Sequence, residues 1–457
     1  MTNPEHPSPS EIQALVFSGH SGLPWTAALW LRVAQPAAAR RALGVLASEH
    51  VAFGLGGGAR KRAVQVLLSA AGLRVLGIPG AETAPATGAF WQGMAAPQRS
   101  RALGDLGANV PAKWSWSDQS THALVLIYGA APERLQAERA TVAALLAPGW
   151  SVAGELALHV PSDGREPFGF SDGLVRMRLD LGDGRPAEPG VDVLAPGEIL
   201  PGYRDANGVV TPAPPLVRDG TYVAVRQLEQ DIASFWRFWR SQAADDEEAV
   251  WLAAKAVGRW PNGMPATGSA PQPPPERHPS IVSGRLTFAG DLRGEQCPAG
   301  AHIRRANPRD GLTDDPAASL TTVARRRLLR RGRRYGPPAD ASWYPDAARP
   351  GETVRGAAAE SRGLLFIALC ADLARQFEFV QQTWLNNPKF HGLNNEVDPI
   401  AAGDGLPDDR RRFSIPRNPL RRRVCGLQKW VTVRGGGYYL LPGRQTLAAL
   451  AGGDLDP

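Results

Sequence analysis

The chain is poor in cysteine and in long hydrophobic runs. Its 457 residues include only three cysteines, Cys297, Cys370 and Cys425, and no Cys-x-x-Cys pair. This excludes a disulfide-stapled scaffold, argues against a zinc site built on cysteine pairs, and fits a reducing compartment. The longest apolar stretch, residues 363–371, is far shorter than the roughly 20 residues that span a membrane. We therefore expect no membrane span.

Recognisable export signals are lacking as well. The first thirteen residues contain neither a basic region followed by an apolar run nor a twin-arginine pair, which predicts a cytoplasmic location. Hydrophobic residues make up 43% of the chain and charged residues 21%, the balance of an ordinary globular protein. At this length one hydrophobic core rarely suffices, so we expect two domains or a duplicated architecture.

Lysine is also scarce, and the net charge of +7 comes almost entirely from arginine. Arginines concentrate in two runs, residues 325–334 and 410–423. Such runs are typical of surfaces that bind nucleic-acid phosphates. Neither run carries a helix-turn-helix, zinc-finger or RNA-binding aromatic motif, so we expect no nucleic-acid partner.

The first third of the chain alternates between short apolar runs and amphipathic stretches. Proline opens both predicted helices, where it is well tolerated because the first turn lacks backbone acceptors. The predicted elements are strand Thr26–Val33, helix Pro36–Ser48, strands Val64–Ala70 and Thr121–Gly129, helix Pro132–Ala147 and strand Trp150–His159. This β-α-β-β-α-β order is typical of a ferredoxin-like fold, in which helices cover one face of an antiparallel sheet.

A similar set of elements returns in the second half. The predicted elements are strand Gly220–Leu228, helix Ile232–Ser241, strand Leu364–Cys370, helix Asp372–Leu385, and a hairpin or strand over Trp430–Leu441. The fold class is therefore α+β, with two ferredoxin-like domains at residues 11–160 and 165–443. Long insertions, at about residues 178–197, 261–279 and 310–360, interrupt the second domain; the first two are rich in Pro and Gly and are expected at the surface.

Several segments, taken in order and spacing, carry a family resemblance. They are Gly169–Gly173 (GFSDG), Gly197–Gly208 (GEILPGYRDANG), Cys297–Arg309 (CPAGAHIRRANPR) and Leu328–Pro337 (LLRRGRRYGP), supported by Gly220–Trp239, Phe377–Asn386 and Val431–Leu441. Together they resemble the dye-decolorizing peroxidase family, in its longer bacterial and fungal-like branch. The resemblance implies two ferredoxin-like domains, a haem held in the C-terminal one, and peroxide-dependent oxidation of dyes and phenols.

His302 is the histidine to which the resemblance assigns the haem iron. Among eight histidines it alone lies inside a matching segment, AHIRRANPR. A five-coordinate haem iron needs one imidazole donor, and the family match makes His302 that ligand, with haem b as the expected cofactor. Taken without its flanking segment, a histidine between Ala301 and Ile303 would more often be a buried structural residue.

Two further residues match the family's peroxide-cleaving groups. Asp172, between Ser171 and Gly173, stands where the family carries an aspartate. By resemblance, its carboxylate takes the peroxide proton and delivers it to the outer oxygen, so that water leaves and an oxoferryl species remains. The bare motif is also explained as an Asp-Gly turn. The family's distal arginine, which stabilises charge on the peroxide oxygens, falls on Arg330, with Arg331 as the alternative register.

The resemblance also suggests groups that support the ligand and the haem. A ligating histidine usually donates its other ring N–H to a carboxylate or carbonyl. We expect Asp372 to accept that bond from His302, with Glu378 as second choice, although Asp372 is equally well explained as a helix N-cap. Arg309 is expected to bind a haem propionate, with Arg304 as its alternative.

The expected partners are hydrogen peroxide and small aromatic reductants, with no membrane, and a homo-oligomer is the assembly to test. A haem-binding or haem-trafficking protein on the same scaffold is the alternative function. It would need His302 but neither Asp172 nor Arg330, so the presence of all three favours the peroxidase. Three aromatic residues lie in or near the matching segments: Trp384, Trp430 and Tyr335. Aromatic residues at such spacing are more often part of the core, so we assign no electron-transfer role to these three.

Overall fold

The computed structural model describes residues 6–56, 60–78, 88–267, 276–278, 286–356, 360–403, 411–417 and 419–452. The α-helices within these residues are Pro36–Glu49, Ala70–Val75, Ala89–Gln92, Pro97–Leu103, Pro132–Leu146, Ile232–Ser241, Asp246–Val257, His302–Ala306, Pro316–Ala324 and Arg444–Gly452. The π-helices are Ala374–Glu378 and Val380–Leu385. The strands are β1 (Trp25–Val33), β2 (Arg62–Ser69), β3 (Trp116–Ser117), β4 (Ala123–Gly129), β5 (Trp150–His159), β6 (Arg176–Leu179), β7 (Val191–Leu194), β8 (Thr221–Gln230), β9 (Leu329–Arg330), β10 (Arg333–Tyr335), β11 (Ala339–Asp340), β12 (Thr353–Val354), β13 (Gly363–Cys370), β14 (Arg412–Ile415), β15 (Arg422–Cys425) and β16 (Val431–Leu441).

The long strands of the first half form an antiparallel block. β1 lies between β5 and β4, and β2 pairs with the other edge of β4. Along the sheet the order is therefore fourth, first, third and second strand. Helices Pro36–Glu49 and Pro132–Leu146 follow β1 and β4, each with proline in its first turn. The predicted β-α-β-β-α-β order of this half is confirmed.

The second half repeats this arrangement with longer connections. β8 lies between β16 and β13, and β9 pairs with the other edge of β13. Counted along the chain, these strands again lie in the order fourth, first, third and second. The α+β class with two ferredoxin-like units is confirmed. The boundaries at residues 11–160 and 165–443 stay a prediction.

The two halves share one sheet. β16 of the second half pairs with β2 of the first, with Tyr439 opposite Ser69 and Leu440 opposite Leu68. At the other end, the short strand β10 pairs with both β13 and β5. The sheet therefore closes on itself, and β10 and β16 are the two connections between its halves.

Both faces of β1, β2 and β4 are buried. In β1, Leu29 and Leu31 pack in the cluster that includes Leu43 of the adjacent helix, whereas Ala28 and Trp30 pack with residues of β8 and β16. Successive side chains of a strand point to opposite faces of the sheet. This double burial accounts for the nearly continuous apolar sequence of β1 and β4.

Several elements differ from the prediction. The helix expected over residues 372–385 is wound as two π-helices. The helix Asp246–Val257, which was not predicted, packs against Ile232–Ser241. The insertion at 178–197 contributes β7, which pairs with β6; of the insertion at 261–279, residues 268–275 and 279 lie outside the described residues. None of the described helices is both long and apolar enough to cross a membrane.

Candidate functional site

A cavity of 350 Å³ lies in the second half of the chain. Its walls come from residues 166–177, from strands β8, β9, β13 and β16, and from the helix that begins at His302. The two π-helices, residues 400–403 and residues 103–109 of the first half also contribute. Much of the lining is apolar, as at Leu228, Phe366 and Phe377. A cavity of this size and character is typical of a site for a cofactor or small molecule.

His302 lies in the cavity wall with one ring nitrogen already engaged. Its Nδ1 donates to the two carboxylate oxygens of Asp398, at 3.0 and 3.1 Å. The hydrogen bond fixes the tautomer, so that Nε2, on the opposite side of the ring, is the nitrogen available to a ligand. The His302 side chain is 28% exposed, which leaves the ring accessible from the cavity.

Asp398 is held as a carboxylate although it is completely buried. Burial by itself would raise its pKa, but the charge of His302, the bond from its ring and the backbone N–H of Ala401 outweigh this effect and lower the pKa. The N–H of Ile400 and that of Ala401 donate to the same Oδ1, at 2.9 and 2.7 Å. Asp398 is therefore a fixed anion directly behind the imidazole.

The prediction for this carboxylate was wrong. Asp372, the expected partner of His302, instead accepts the backbone N–H of Arg375 at 2.9 Å, which is the capping role weighed as its alternative. Glu378, the second choice, accepts from Tyr438 and Arg99. Both residues sit on the segment that follows β13, away from His302.

Asp172 and Arg330 meet in the same cavity. Arg330 Nη1 lies 3.6 Å from Asp172 Oδ1, and the two side chains are 49% and 47% exposed. This is too long for a direct hydrogen bond, and the partial exposure leaves both groups accessible to a ligand. The neighbouring Arg331 takes another direction, because its guanidinium donates to the carbonyls of Leu15 and Val16 at 2.8 and 2.9 Å.

A tight loop positions Asp172. The partly buried Glu166 accepts the backbone N–H groups of Phe168 and Phe170 at 3.0 and 2.9 Å, and Gln230 also donates to it. Gly169 has a φ of +99°, and a Cβ there would come within 2.2 Å of a neighbouring carbonyl oxygen. Burial raises the pKa of Glu166, against these three hydrogen bonds. The loop therefore has little freedom to move its aspartate.

Arg309 lines the cavity beside an acidic partner. Its Nη1 lies 3.9 Å from Asp192 of β7, which also forms an ion pair with Arg327. The alternative, Arg304, is nearly fully buried and donates to Asp291 and to the carbonyl of Cys297. Of the two arginines, Arg309 is therefore the one placed in the cavity wall.

Comparison with known proteins decides the family. No family-level sequence profile matches the chain. It is, however, 31% identical over 405 residues to the multifunctional dye peroxidase DyP2 of Amycolatopsis sp.. The alignment covers 84% of this chain and 81% of the relative. The chain belongs to the dye-decolorizing peroxidase family. It is a haem-dependent peroxidase that reduces hydrogen peroxide and oxidises dyes or other one-electron donors.

Other dye-decolorizing peroxidases agree with this assignment. The chain is 28% identical over 407 residues to the dye-decolorizing peroxidase msp1 of Mycetinis scorodonius. That alignment covers 83% of this chain and 74% of the relative. A solved dye-decolorizing peroxidase in complex with 2,6-dimethoxyphenol superposes with a TM-score of 0.81 at 23% identity, covering 97% of this chain and 100% of that one. That structural likeness supports the fold.

Two residues that support the cavity of this peroxidase were not predicted from the sequence. Asp398 lies 96 positions after His302, and no spacing rule connects them. Glu166 lies just outside the matching segment GFSDG, although it supports that segment. A glutamate six residues before the aspartate indicates such a loop only when a closed loop is already expected at this place in the sequence.

Proposed function

We propose that the cavity holds haem b, with Nε2 of His302 as the iron ligand and with Asp172 and Arg330 acting on hydrogen peroxide. The observation that carries the proposal is that three residues far apart in sequence line one cavity. The donor set fits the group, because a mostly apolar cavity offers one imidazole whose tautomer is fixed by a buried carboxylate. Arg309 is placed to bind a propionate at the wall of the same cavity.

Bound haem supplies an iron centre that takes two oxidising equivalents from peroxide and passes them singly to reducing substrates. Asp398 keeps the Nδ1 proton of His302 in place and makes the ring a stronger donor. Asp172 accepts the proton of the inner peroxide oxygen and returns it to the outer one, so that water can leave. Arg330 stabilises the negative charge that develops on the peroxide oxygens.

The reducing substrates we propose are small phenols and dyes. A structural neighbour was solved with 2,6-dimethoxyphenol, and the similar DyP2 is named a dye peroxidase. A cytoplasmic location and a homo-oligomer remain part of the proposal. The first rests on the three free cysteines, of which Cys425 is exposed.

The proposal is tested by haem content and by the Soret band. His302→Ala should lose most of the haem, or show a strongly shifted band, because it removes the iron ligand. His391→Asn is the matched control: His391 is a partly buried histidine whose ring bonds a backbone carbonyl and which does not line the cavity. Its spectrum should match that of the unmodified protein. A native spectrum and haem content in His302→Ala would overturn the ligand assignment.

A further inference from the structure

A buried hydrogen-bond chain lies directly behind the cavity wall. Tyr438, in β16, donates its phenolic proton to Oε1 of Glu378 at 2.8 Å. Oε2 of the same carboxylate accepts from Arg99 Nη1 at 2.5 Å. Tyr438 is 0% exposed and Glu378 is 5% exposed, whereas the Arg99 side chain reaches 19% exposure. These hydrogen bonds therefore connect an enclosed phenol, through a carboxylate, to an arginine that reaches the surface.

The Tyr438 phenol is separated from the cavity by the ring of one lining residue, Phe377. The ring of Phe377, which lines the cavity, lies edge-on to the Tyr438 ring with 6.2 Å between centroids. Phe366, another lining residue, contacts Phe377 at 6.1 Å. Arg226 also faces the cavity and lies close enough to act on the charge of the phenol. The peroxide chemistry proposed for this cavity would therefore place a strong oxidant near Tyr438.

The surroundings couple electron loss from this phenol to proton loss. Burial and the adjacent Glu378 charge raise the pKa of Tyr438 well above its usual value, so the phenol stays protonated. Removing an electron alone would leave a buried cation, which is costly in an apolar environment. The hydrogen bond to Glu378 provides a proton acceptor already in place.

A neighbouring tyrosine lacks these features. Tyr439 is equally buried, but its hydroxyl pairs with Thr121 Oγ1 at 2.9 Å, and its ring lies in the cluster on the opposite face of the sheet. Tyr203 does donate to a carboxylate, Asp219, but it does not line the cavity or contact Phe377. Tyr438 is thus distinguished by having both a carboxylate acceptor and an aromatic contact to the cavity wall.

We propose that Tyr438 is a redox-active residue that gives one electron to the peroxide-oxidised cofactor while its phenolic proton passes to Glu378. The O–H bond breaks, a neutral phenoxyl radical remains on Tyr438, and the cofactor is reduced by one electron. A reducing substrate later returns an electron and Glu378 returns the proton, which restores the phenol. Arg99, bound to the other carboxylate oxygen, holds Glu378 in position. The inference rests on the proposed haem site in this cavity.

The test is electron paramagnetic resonance of the holoenzyme, frozen shortly after peroxide is added without a reducing substrate. The unmodified protein should show a radical whose spectrum narrows when it is grown with ring-deuterated tyrosine. Tyr438→Phe should lose this tyrosyl signal. Tyr439→Phe, on the same strand and equally buried, should keep it. Glu378→Gln keeps an acceptor oxygen but is a poor base, and should form the radical about a hundredfold more slowly.

The Soret band of the same samples separates the two proposals. If the band responds to peroxide but no tyrosyl signal forms, or if the signal persists in Tyr438→Phe, the role of Tyr438 is wrong and the peroxidase site stands. If the band of the unmodified protein does not respond to peroxide, the proposed function fails, and the inference fails with it. Should Tyr438→Phe not fold, an unchanged radical rate in Glu378→Gln would be the contradicting result.

Discussion

At the scale of single residues, Asp172 in the cavity wall and Asp398 behind His302 differ in what surrounds them. Asp398 is enclosed, and it receives an imidazole N–H and two backbone N–H groups. Asp172 is about half exposed and faces a guanidinium across 3.6 Å. The first carboxylate is saturated with donors and can only orient a ring, whereas the second has lone pairs left for a ligand's proton.

The adjacent arginines make a matched pair for mutation. Arg330→Leu should slow the reaction with peroxide about a hundredfold, because it removes one stabiliser of transition-state charge. Arg331→Leu should leave that rate nearly unchanged but lower the free energy of unfolding by about 2 kcal/mol, since two hydrogen bonds to backbone carbonyls are lost. Stopped-flow Soret changes and urea titrations measure the two effects. An exchange of phenotypes would show that the assigned register is off by one.

Asp118 predicts a pH dependence of stability. Its Oδ2 accepts the backbone N–H groups of Met94 and Tyr438, both at 2.7 Å, and burial nevertheless raises the pKa to about 6. Between about pH 4 and pH 6 the unfolded chain therefore loses this proton before the folded protein does. The free energy of unfolding should fall across that window by on the order of 2 kcal/mol.

Asp118→Asn should remove this contribution. Urea titrations from pH 4 to pH 7 are expected to give the variant a flatter profile than the unmodified protein, with the two curves separating as the pH rises through that window, because the amide resembles the protonated carboxyl. Parallel curves for the two proteins would place the responsible titration in another group.

At the scale of elements, the loop that carries Asp172 is constrained by both backbone conformation and close packing. Gly169 combines a left-handed φ of +99° with a backbone carbonyl, that of Ala348, against its α-carbon. Gly173, four residues later, also has a positive φ of +69° but nothing within 4 Å of a Cβ placed there. Substitutions at the two glycines therefore distinguish the effect of a positive φ from the effect of a close backbone contact.

Gly169→Ala should displace the loop and lower peroxidase activity by more than tenfold, because even an ångström of misplacement at a reacting group is costly. Gly173→Ala should cost about 1 kcal/mol of stability for its positive φ, with a smaller loss of activity. Steady-state dye oxidation and thermal unfolding check both. Equal activities in the two variants would mean that contact with Ala348 does not position Asp172.

The elements also show what a sequence can predict. Strands β1, β4 and β5 and the helix Ile232–Ser241 were located within two residues, because their periodicity and prolines are local signals. Asp172 was selected by its resemblance to a family motif, which is also contiguous in the sequence, and the structure places it in the cavity wall. Asp398 was not predicted, since its contact with His302 is created only by the folded chain. The π-winding after β13 likewise has no periodic signal of its own.

At the scale of the whole molecule, the closed sheet makes the two halves depend on each other. β10 and β16 each pair with strands of both halves. We expect a single cooperative unfolding transition rather than two. Tryptophan fluorescence reports on side-chain packing in both halves, since Trp30 and Trp116 are buried in the first half and Trp236 and Trp239 in the second. Far-ultraviolet circular dichroism reports on the secondary structure of both halves. The urea midpoints of the two signals should coincide; midpoints that differ by more than the fitting error would show that the halves unfold separately.

The position of β16 has a consequence for biosynthesis. This strand joins β2 to β8, yet it is the last strand of the sheet to be made. During translation the first half can assemble β1, β2, β4 and β5 early, but the edge of β2 waits without its neighbour until residue 441 has left the ribosome. Exposed strand edges invite pairing with other chains. Newly made protein should therefore be most prone to aggregation, and most in need of chaperones, in the interval before β16 emerges.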